Sequence, residues 1–323
     1  MSARATIIVV TYNSRAHLPR LKATIEAQTA PHDLIVWDNG SRADQRPMPA
    51  ELPANAVFVQ SEENLGFAPA NNRAAERATT EFVVLLNPDA FPEPDWLAQL
   101  IAAADAHSNA AAFGSTQWSA EDDALYDGLG DCYHAAGVPW RGGYGWRRDA
   151  SPPLTGQVFS PCAAAALYRA DVWRALGGFD ERFFCYCEDV DLGFRMRLAG
   201  HDCLQIGAAK VAHVGGASSG KRSEFAVFYG TRNRLWTFVK NMPGALLLPL
   251  IFAHTGITLL FLAVSPFRGT GPATWRGVGA ALKGLPAILA SRRTRPRKVK
   301  LGVLMRAFAW SPFALARRAP VVR

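Results

Sequence analysis

Apolar and polar positions along the first two thirds of the chain switch repeatedly between a strand-like and a helix-like period. Ala5 to Val10 is an apolar run read as a buried strand. A helix is predicted from Arg15 to Gln28, with Ser14 as candidate N-cap and Pro19 tolerated in the first turns. Short strands follow at Leu34 to Trp37, Val57 to Gln60 and Phe82 to Leu86, with helices at Ala68 to Thr79 and Pro94 to His107. Residues 119–156 are rich in Gly, Asp, Trp and Arg without clear periodicity, and loops of that length usually carry function. Asp171 to Leu176 and Asp189 to Ala199 read as helices, the second with Val190, Phe194 and Leu198 on one face. Leu204 to Ile206 and Lys210 to Val214 are strand-like. This alternation encodes an α/β fold with a mostly parallel central sheet and flanking helices. From Phe225 onward the character changes to apolar helical stretches punctuated by Arg, Gly and Pro, and no internal repeat is present.

Charge divides the chain at the same place. The 323 residues carry a formal +8, but residues 1–224 hold 19 Lys/Arg against 27 Asp/Glu, a net of −8. Residues 225–323 hold 16 Lys/Arg and no acid, a net of +16. The expected organisation is a catalytic domain over 1–224 and a basic, apolar helical tail over 225–323. A basic tail rich in Leu, Phe and Trp suits an anionic membrane surface better than nucleic acid, whose binding arms are usually polar. Ala245 to Val264 is a run of 20 residues without Lys, Arg, Asp or Glu, long enough to cross a bilayer as a helix. Pro249, His254, Thr255, Gly256 and Thr258 weaken it, and positive charge flanks both ends, the cluster Arg292 to Lys298 included. A hairpin or interfacial insertion would keep both flanks cytoplasmic. Leu301, Leu304, Met305 and Phe308 share one helical face, an interfacial pattern. The competing reading is a tail helix packed on the catalytic domain.

The five cysteines form no C-x-x-C pair and read as reduced core residues, which points to the cytosolic side. The N-terminal apolar run is too short for a signal peptide and reads as a first strand. Neither G-x-G-x-x-G nor G-x-x-x-x-G-K-[ST] occurs, which disfavours dinucleotide oxidoreductases and P-loop enzymes.

Polar clusters sit directly after the predicted strands, where open α/β sheets bind ligands. Ile7 to Asn13, ending Thr11-Tyr12-Asn13, is followed by Asp38-Asn39-Gly40-Ser41, then Asn64 to Asn72, then Leu85-Leu86-Asn87-Pro88-Asp89-Ala90. Gly177-Gly178-Phe179-Asp180-Glu181, Glu188-Asp189-Val190-Asp191 and His213 come later. Any one of these is ordinary turn chemistry. Their joint order over residues 5–240 resembles the family 2 glycosyltransferases, and within them the bacterial rhamnosyltransferase-like members.

The resemblance implies a GT-A fold, a nucleotide-diphosphate sugar donor, a divalent metal (Mg²⁺ or Mn²⁺) and inversion at the anomeric carbon. It implies Asp189 as the base that takes the acceptor proton, with Glu188 and Asp191 in support, and His213 as a metal ligand. Asp89, ending an apolar strand, is the best candidate carboxylate for a metal that neutralises a diphosphate leaving group. The family's usual Asp-x-Asp is here Asn87-Pro88-Asp89, so the first position offers an uncharged oxygen at most. Thr11, Tyr12, Asn13, Asp38, Asn64, Gly66, Asn72, Asn87 and Asp89 make up the expected donor side. Asp180, Glu181 and Asp191 are the expected acceptor side. Trp140, Tyr144 and Trp146 either stack on sugars or pack the Gly-rich loop down.

The expected activity is transfer of a sugar, with dTDP-rhamnose favoured by the resemblance, to a lipid-linked saccharide at the cytoplasmic face of the cell membrane. Two alternatives stay open: a sugar-phosphate nucleotidylyltransferase, and a catalytically silent nucleotide-sugar-binding scaffold prompted by Asn87.

Overall fold

The computed structural model of the chain describes residues 2–148, 153–215, 223–292 and 298–323. The centre of the basic cluster, residues 293–297, lies outside them.

Four parallel strands form one half of the main sheet: β1 (Ala5–Thr11), β2 (His32–Asn39), β3 (Ala56–Ser61) and β4 (Phe82–Leu86), in the order β3-β2-β1-β4. Every residue of β1 and β4 is buried, because helices cover both faces. On one face Ile7, Val9, Val84 and Leu86 meet α1 (Leu18–Glu26) and α3 (Trp96–Ala106); α2 (Phe67–Ala75) lies under Ile8, Val10 and Leu85 on the other. The helix expected from Arg15 starts as a single 3₁₀ turn, Arg15–His17, and Ser14 does not cap it with its side chain; its Oγ accepts from the Tyr12 amide instead.

The second half of the sheet is built by β5 (Ala90–Pro92), β6 (Ala110–Ser119), β7 (Tyr126–Gly128), β10 (Gly156–Gln157), β11 (Ala165–Arg169) and β12 (Asp202–His213). A two-stranded hairpin of β8 (Asp131–His134) and β9 (Val138–Arg141) stands apart. Strand β11 runs antiparallel to both β4 and β6, so β6 and its parallel neighbour β12 regain the direction of β1 to β4. The sheet is therefore mixed but mostly parallel. Residues 119–156, expected as one long loop, contain β7 to β9; the two strand-like pieces after residue 203 are one strand, bulged between Ile206 and Lys210.

Helices α4 (Ala170–Ala175) and α5 (Glu188–Ala199) complete the body. The tail then folds back onto it as α6 (Glu224–Asn241), α7 (Gly244–Val264), α8 (Gly271–Arg292), α9 (Leu301–Ala307) and α10 (Pro312–Arg317). Phe238, Met242, Leu246, Leu304 and Phe308 join Tyr133, Phe159 and Phe194 in one buried cluster, so part of the tail is core. Leu304 and Phe308, read as an interfacial face, point into that cluster. The other side of α7 has no such cover: Leu248 is 73% exposed and Phe252 80%.

Candidate active site at the strand ends

The register of the parallel strands brings the first two polar clusters together. Thr11 pairs with Asp38, and the buried Thr11 Oγ1 lies 3.2 Å from Asp38 Oδ1. Asp38 also accepts from the Ser41 amide, with Arg46 at 3.7 Å. Asn13 turns the chain in a left-handed conformation (φ 50°), its amide donating to Ser41 Oγ and its side-chain oxygen accepting from the Arg42 amide. Tyr12, half-buried, lies between them.

Asn39, which the expected donor side omits, ties this region to the next. Its side-chain amide donates to Asn64 Oδ1 (2.9 Å) and the Gly66 carbonyl, and its oxygen accepts from the Leu65 amide. Gly66 sits at φ 94°, and a Cβ there would run into the Phe184 ring at 2.5 Å. Asn72 is turned elsewhere. Its side chain exchanges two hydrogen bonds with the Phe179 backbone and donates to Glu181, so it braces the 177–181 turn and has no bond to the strand-end cluster.

Asp89 and His213 meet because β5 pairs with β12 at His213 opposite Ala90. Nε2 of His213 lies 3.4 Å from Asp89 Oδ1, and Nδ1 lies 2.7 Å from Asp127 Oδ2. Asp127 in turn accepts from Arg141 at 2.6 Å. Burial works against charge on all three partners, but the pairings win. Asp127 is held down at about 2 by Arg141 and His213, Asp89 is lowered by His213, and His213 is raised by Asp127 and Asp89. An ionised Asp127 can only accept, so Nδ1 carries a proton; the raised pKa favours a second proton on Nε2, which a metal cation would displace to take the lone pair. That buried Nε2 has no hydrogen-bond partner. A lone pair and a carboxylate oxygen facing each other at this distance fit a shared cation, with Asp127 as the outer carboxylate that orients the imidazole. Asp127 and Arg141 were missed because they fall in the segment without periodicity. Asn87 is half-buried at the same strand end.

Asp189 is the second residue of α5 and remains partly accessible. Its oxygens accept from the amides of Ala163 (3.1 Å) and Val190 (2.8 Å). Burial raises its pKa, and those two bonds oppose the rise by stabilising the charged form. Asp131 and Cys162 bring ligand atoms within 4.8 Å of it. Burial pushes Asp131 well up, further raised by Asp189, and pushes the Cys162 thiol up to about 12. Asp189, the carboxyl with backbone donors, is therefore the one that ionises first. Glu188 is buried with Oε2 unpartnered, and burial beside Asp189 raises its pKa too. The preceding residues are strained: Phe184, Tyr186 and Cys187 all have φ between 64° and 71°. Bulky residues hold such angles only where surrounding contacts impose them. Asn233 imposes them here, donating to the carbonyls of Phe183, Cys185 and Tyr186.

The expected acceptor side divides in the structure. Asp191 is fully buried, bonded to Arg195, Asn241 and, at 2.6 Å, Lys240. Asp180 is bound by Arg182 and by Lys240 at 2.6 Å, and these cations hold its pKa far down although burial opposes them. Both carboxylates anchor α6 to the body, since a charge without water needs an opposite charge. Asp180 and the exposed Glu181 do border a cleft of about 340 Å³ with Asn72, Gly178 and Arg195, but Asp38, Asp89, Asp189 and His213 do not line it. The loop aromatics hold the tail: Trp140 and Trp146 donate to the carbonyls of Ala319 and Arg317, and the Arg318 guanidinium lies over Tyr144.

The family model described as "Glycosyl transferase family 2" matches residues 6–177, more than half of the chain. The chain belongs to glycosyl transferase family 2. A curated relative, the N-acetylglucosaminyl-diphospho-decaprenol L-rhamnosyltransferase of Mycobacterium tuberculosis, is 28% identical over 240 residues, covering 67% of this chain and 77% of its own length. The O-antigen biosynthesis protein RfbC of Myxococcus xanthus is 28% identical over 226 residues, 65% of this chain but 17% of that protein. Among solved structures, the mannosyltransferase PcManGT of Pyrobaculum calidifontis, in complex with GDP-Man and Mn²⁺, superposes with TM-score 0.55 at 17% identity, covering 95% of this chain and 86% of that one. S. aureus TarS 1–349 gives TM-score 0.54 at 16% identity, 91% of each chain being covered. The fold of this glycosyltransferase is GT-A.

Proposed function

We propose that the chain is an inverting, metal-dependent transferase that moves a sugar from a nucleotide-diphosphate donor to a hydroxyl of a lipid-linked saccharide in cell-surface polysaccharide synthesis. The observation that carries the reading is that two kinds of group are built on different elements. Asp89 and His213 face each other across an unpartnered Nε2, while Asp189 is at the head of α5, partly accessible and tuned upward by burial.

Asp189 would take the acceptor's O–H proton as the oxygen attacks the anomeric carbon, and the nucleoside diphosphate would leave from the opposite face. Asp89 and His213 Nε2 would hold a divalent cation, whose charge offsets that developing on the diphosphate. Asn87 adds an uncharged oxygen beside them, which supports a weaker site than an Asp-x-Asp pair would give. Thr11, Asp38 and the Asn39–Asn64 link would line the nucleoside side.

The relative acting on a diphospho-decaprenol-linked sugar supports a lipid-linked acceptor and an L-rhamnosyl donor such as dTDP-rhamnose. The division into a catalytic part, 1–224, and a membrane-associating tail, 225–323, is supported by the charge asymmetry and by α7, 21 residues long and apolar enough to span a bilayer, with 17% of its most apolar window buried. Leu246, His254 and Thr258 are the buried residues of α7, so the helix is fixed to the body along one side and bare along the other. That arrangement favours a helix lying in the cytoplasmic leaflet.

The test is incubation of the purified chain with a panel of nucleotide sugars and Mg²⁺ or Mn²⁺. A transferase releases nucleoside diphosphate. A nucleotidylyltransferase instead consumes nucleoside triphosphate and yields pyrophosphate, and a silent scaffold yields neither; either result would refute the proposal.

A further inference from the structure

Arg234 of α6 is a buried cation without an anion. It is 5% exposed, and no carboxylate pairs with it among the described residues. One terminal nitrogen donates to Thr258 Oγ1 of α7 at 2.9 Å, and the other, NH1, has no partner. A further polar group beside it is also unfilled. The hydroxyl of fully buried Tyr133, on β8, has no hydrogen-bond partner although the nearby guanidinium acts on it electrostatically. Buried polar groups are nearly always satisfied, and an uncompensated buried charge costs stability, so an unfilled guanidinium nitrogen beside an unfilled hydroxyl points to a missing anion.

The surroundings say what kind of anion. Phe261, 37% exposed, lays its ring 5.1 Å from the guanidinium, and beyond it α7 offers bare Leu259 and Leu260. An anion carried on a hydrocarbon chain would put its head on Arg234 and its chain along that face. On the other side Cys187, the residue before Glu188 and Asp189, packs against the buried cluster that holds Tyr133. The hydrogen bond and the ring contact of Arg234 are both with α7, and not with the ends of β1, β2 or β4, where the donor is expected.

We propose that Arg234, with Tyr133, forms the site for the diphosphate of a lipid-linked acceptor, between the apolar face of α7 and the proposed base at the head of α5. The inference rests on the proposed transferase reading and adds the group that recognises the acceptor. In such an acceptor the sugar next to the diphosphate would carry the hydroxyl to be glycosylated, so the place where the anion is held would set the reach to Asp189.

The experiment measures binding of farnesyl diphosphate and of farnesol to the full chain in detergent micelles. Wild type is expected to prefer the diphosphate at least about tenfold. Arg234→Gln should erase that preference, and Tyr133→Phe, which deletes a hydroxyl bonded to nothing, should reduce it severalfold in a protein of unchanged Tm. Donor hydrolysis without acceptor should stay unchanged in both variants. No preference in wild type, or a preference that survives in the folded variants, overturns the site. So does loss of binding to phosphatidylglycerol vesicles with farnesyl diphosphate binding intact, which would make it a headgroup site. Failure of donor hydrolysis in wild type would instead strike the transferase reading, so the two failures are distinct.

Discussion

The carboxylate of Asp127 accepts the Nδ1 proton of His213 at 2.7 Å, and this bond decides which ring nitrogen is left to face Asp89. Arg141 keeps Asp127 ionised, so the Nδ1 proton stays on the outer side and Nε2 is the nitrogen left to face a cation at Asp89. Asp127→Ala frees the imidazole to rotate or change tautomer. The expected outcome is a 10- to 100-fold rise, as an order of magnitude, in the Mn²⁺ concentration giving half-maximal transfer, together with a fall in Tm because Arg141 loses its buried partner. A metal titration of activity measures it, and an unchanged midpoint would remove Asp127 from the site.

Asp189→Asn keeps the shape of the side chain and removes the base. Transfer is expected to fall by about 10²-fold or more while the KM for the nucleotide sugar holds. The pH profile carries a separate signature. The base works ionised and burial raises its pKa, so activity should fall on acidification at a pH above the ordinary aspartate value of about 3.9. A kcat/KM profile flat through that region would show that another group takes the proton.

The strand-end clusters were legible in the sequence because they follow apolar strands in a fixed order, and the structure brings Asp89 and His213 together. The residues that hold them were not legible. Asp127 and Arg141 belong to a segment whose short strands, β7 and β9, carry too few residues to show a period. β6 and β11 open on Ala110-Ala111-Ala112 and Ala165-Ala166, whose intrinsic preference is helical; their pairing with neighbouring strands on both sides makes them sheet. Asp180 and Asp191 looked like site carboxylates because the cation that neutralises them, Lys240, lies 60 and 49 positions away in sequence and only the fold brings it near.

Lys240 joins α6 to the body through both of those carboxylates at 2.6 Å, and its side chain is fully buried. Lys240→Met leaves two buried carboxylates with one cation fewer. A loss of about 3–5 kcal/mol is expected, seen as a fall in Tm or in the urea midpoint. The sign of the pH dependence follows from Asp180, whose folded pKa is depressed by Arg182 and Lys240 despite burial. Its stabilising contribution is complete above the unfolded value of about 3.9 and fades as pH falls toward the lower folded value. Wild type and variant should therefore converge in strong acid and differ most at neutral pH.

The bare side of α7 sets apart membrane docking from ordinary surface. Leu248 and Phe252, four residues apart, lie on one helical face and are 73% and 80% exposed, so neither holds the fold together. Burying each in lipid would contribute about 1.5–3 kcal/mol. Leu248→Glu with Phe252→Glu removes that gain and sets two negative charges against an anionic surface. The double variant should partition onto phosphatidylglycerol vesicles at least about 10²-fold more weakly, with Tm and donor hydrolysis unchanged. Salt separates the two contributions: the tail's net +16 is screened at high ionic strength but apolar burial is not, so salt should release wild type only in part. Complete release by salt alone would mean that charge holds the protein and that α7 never enters the bilayer.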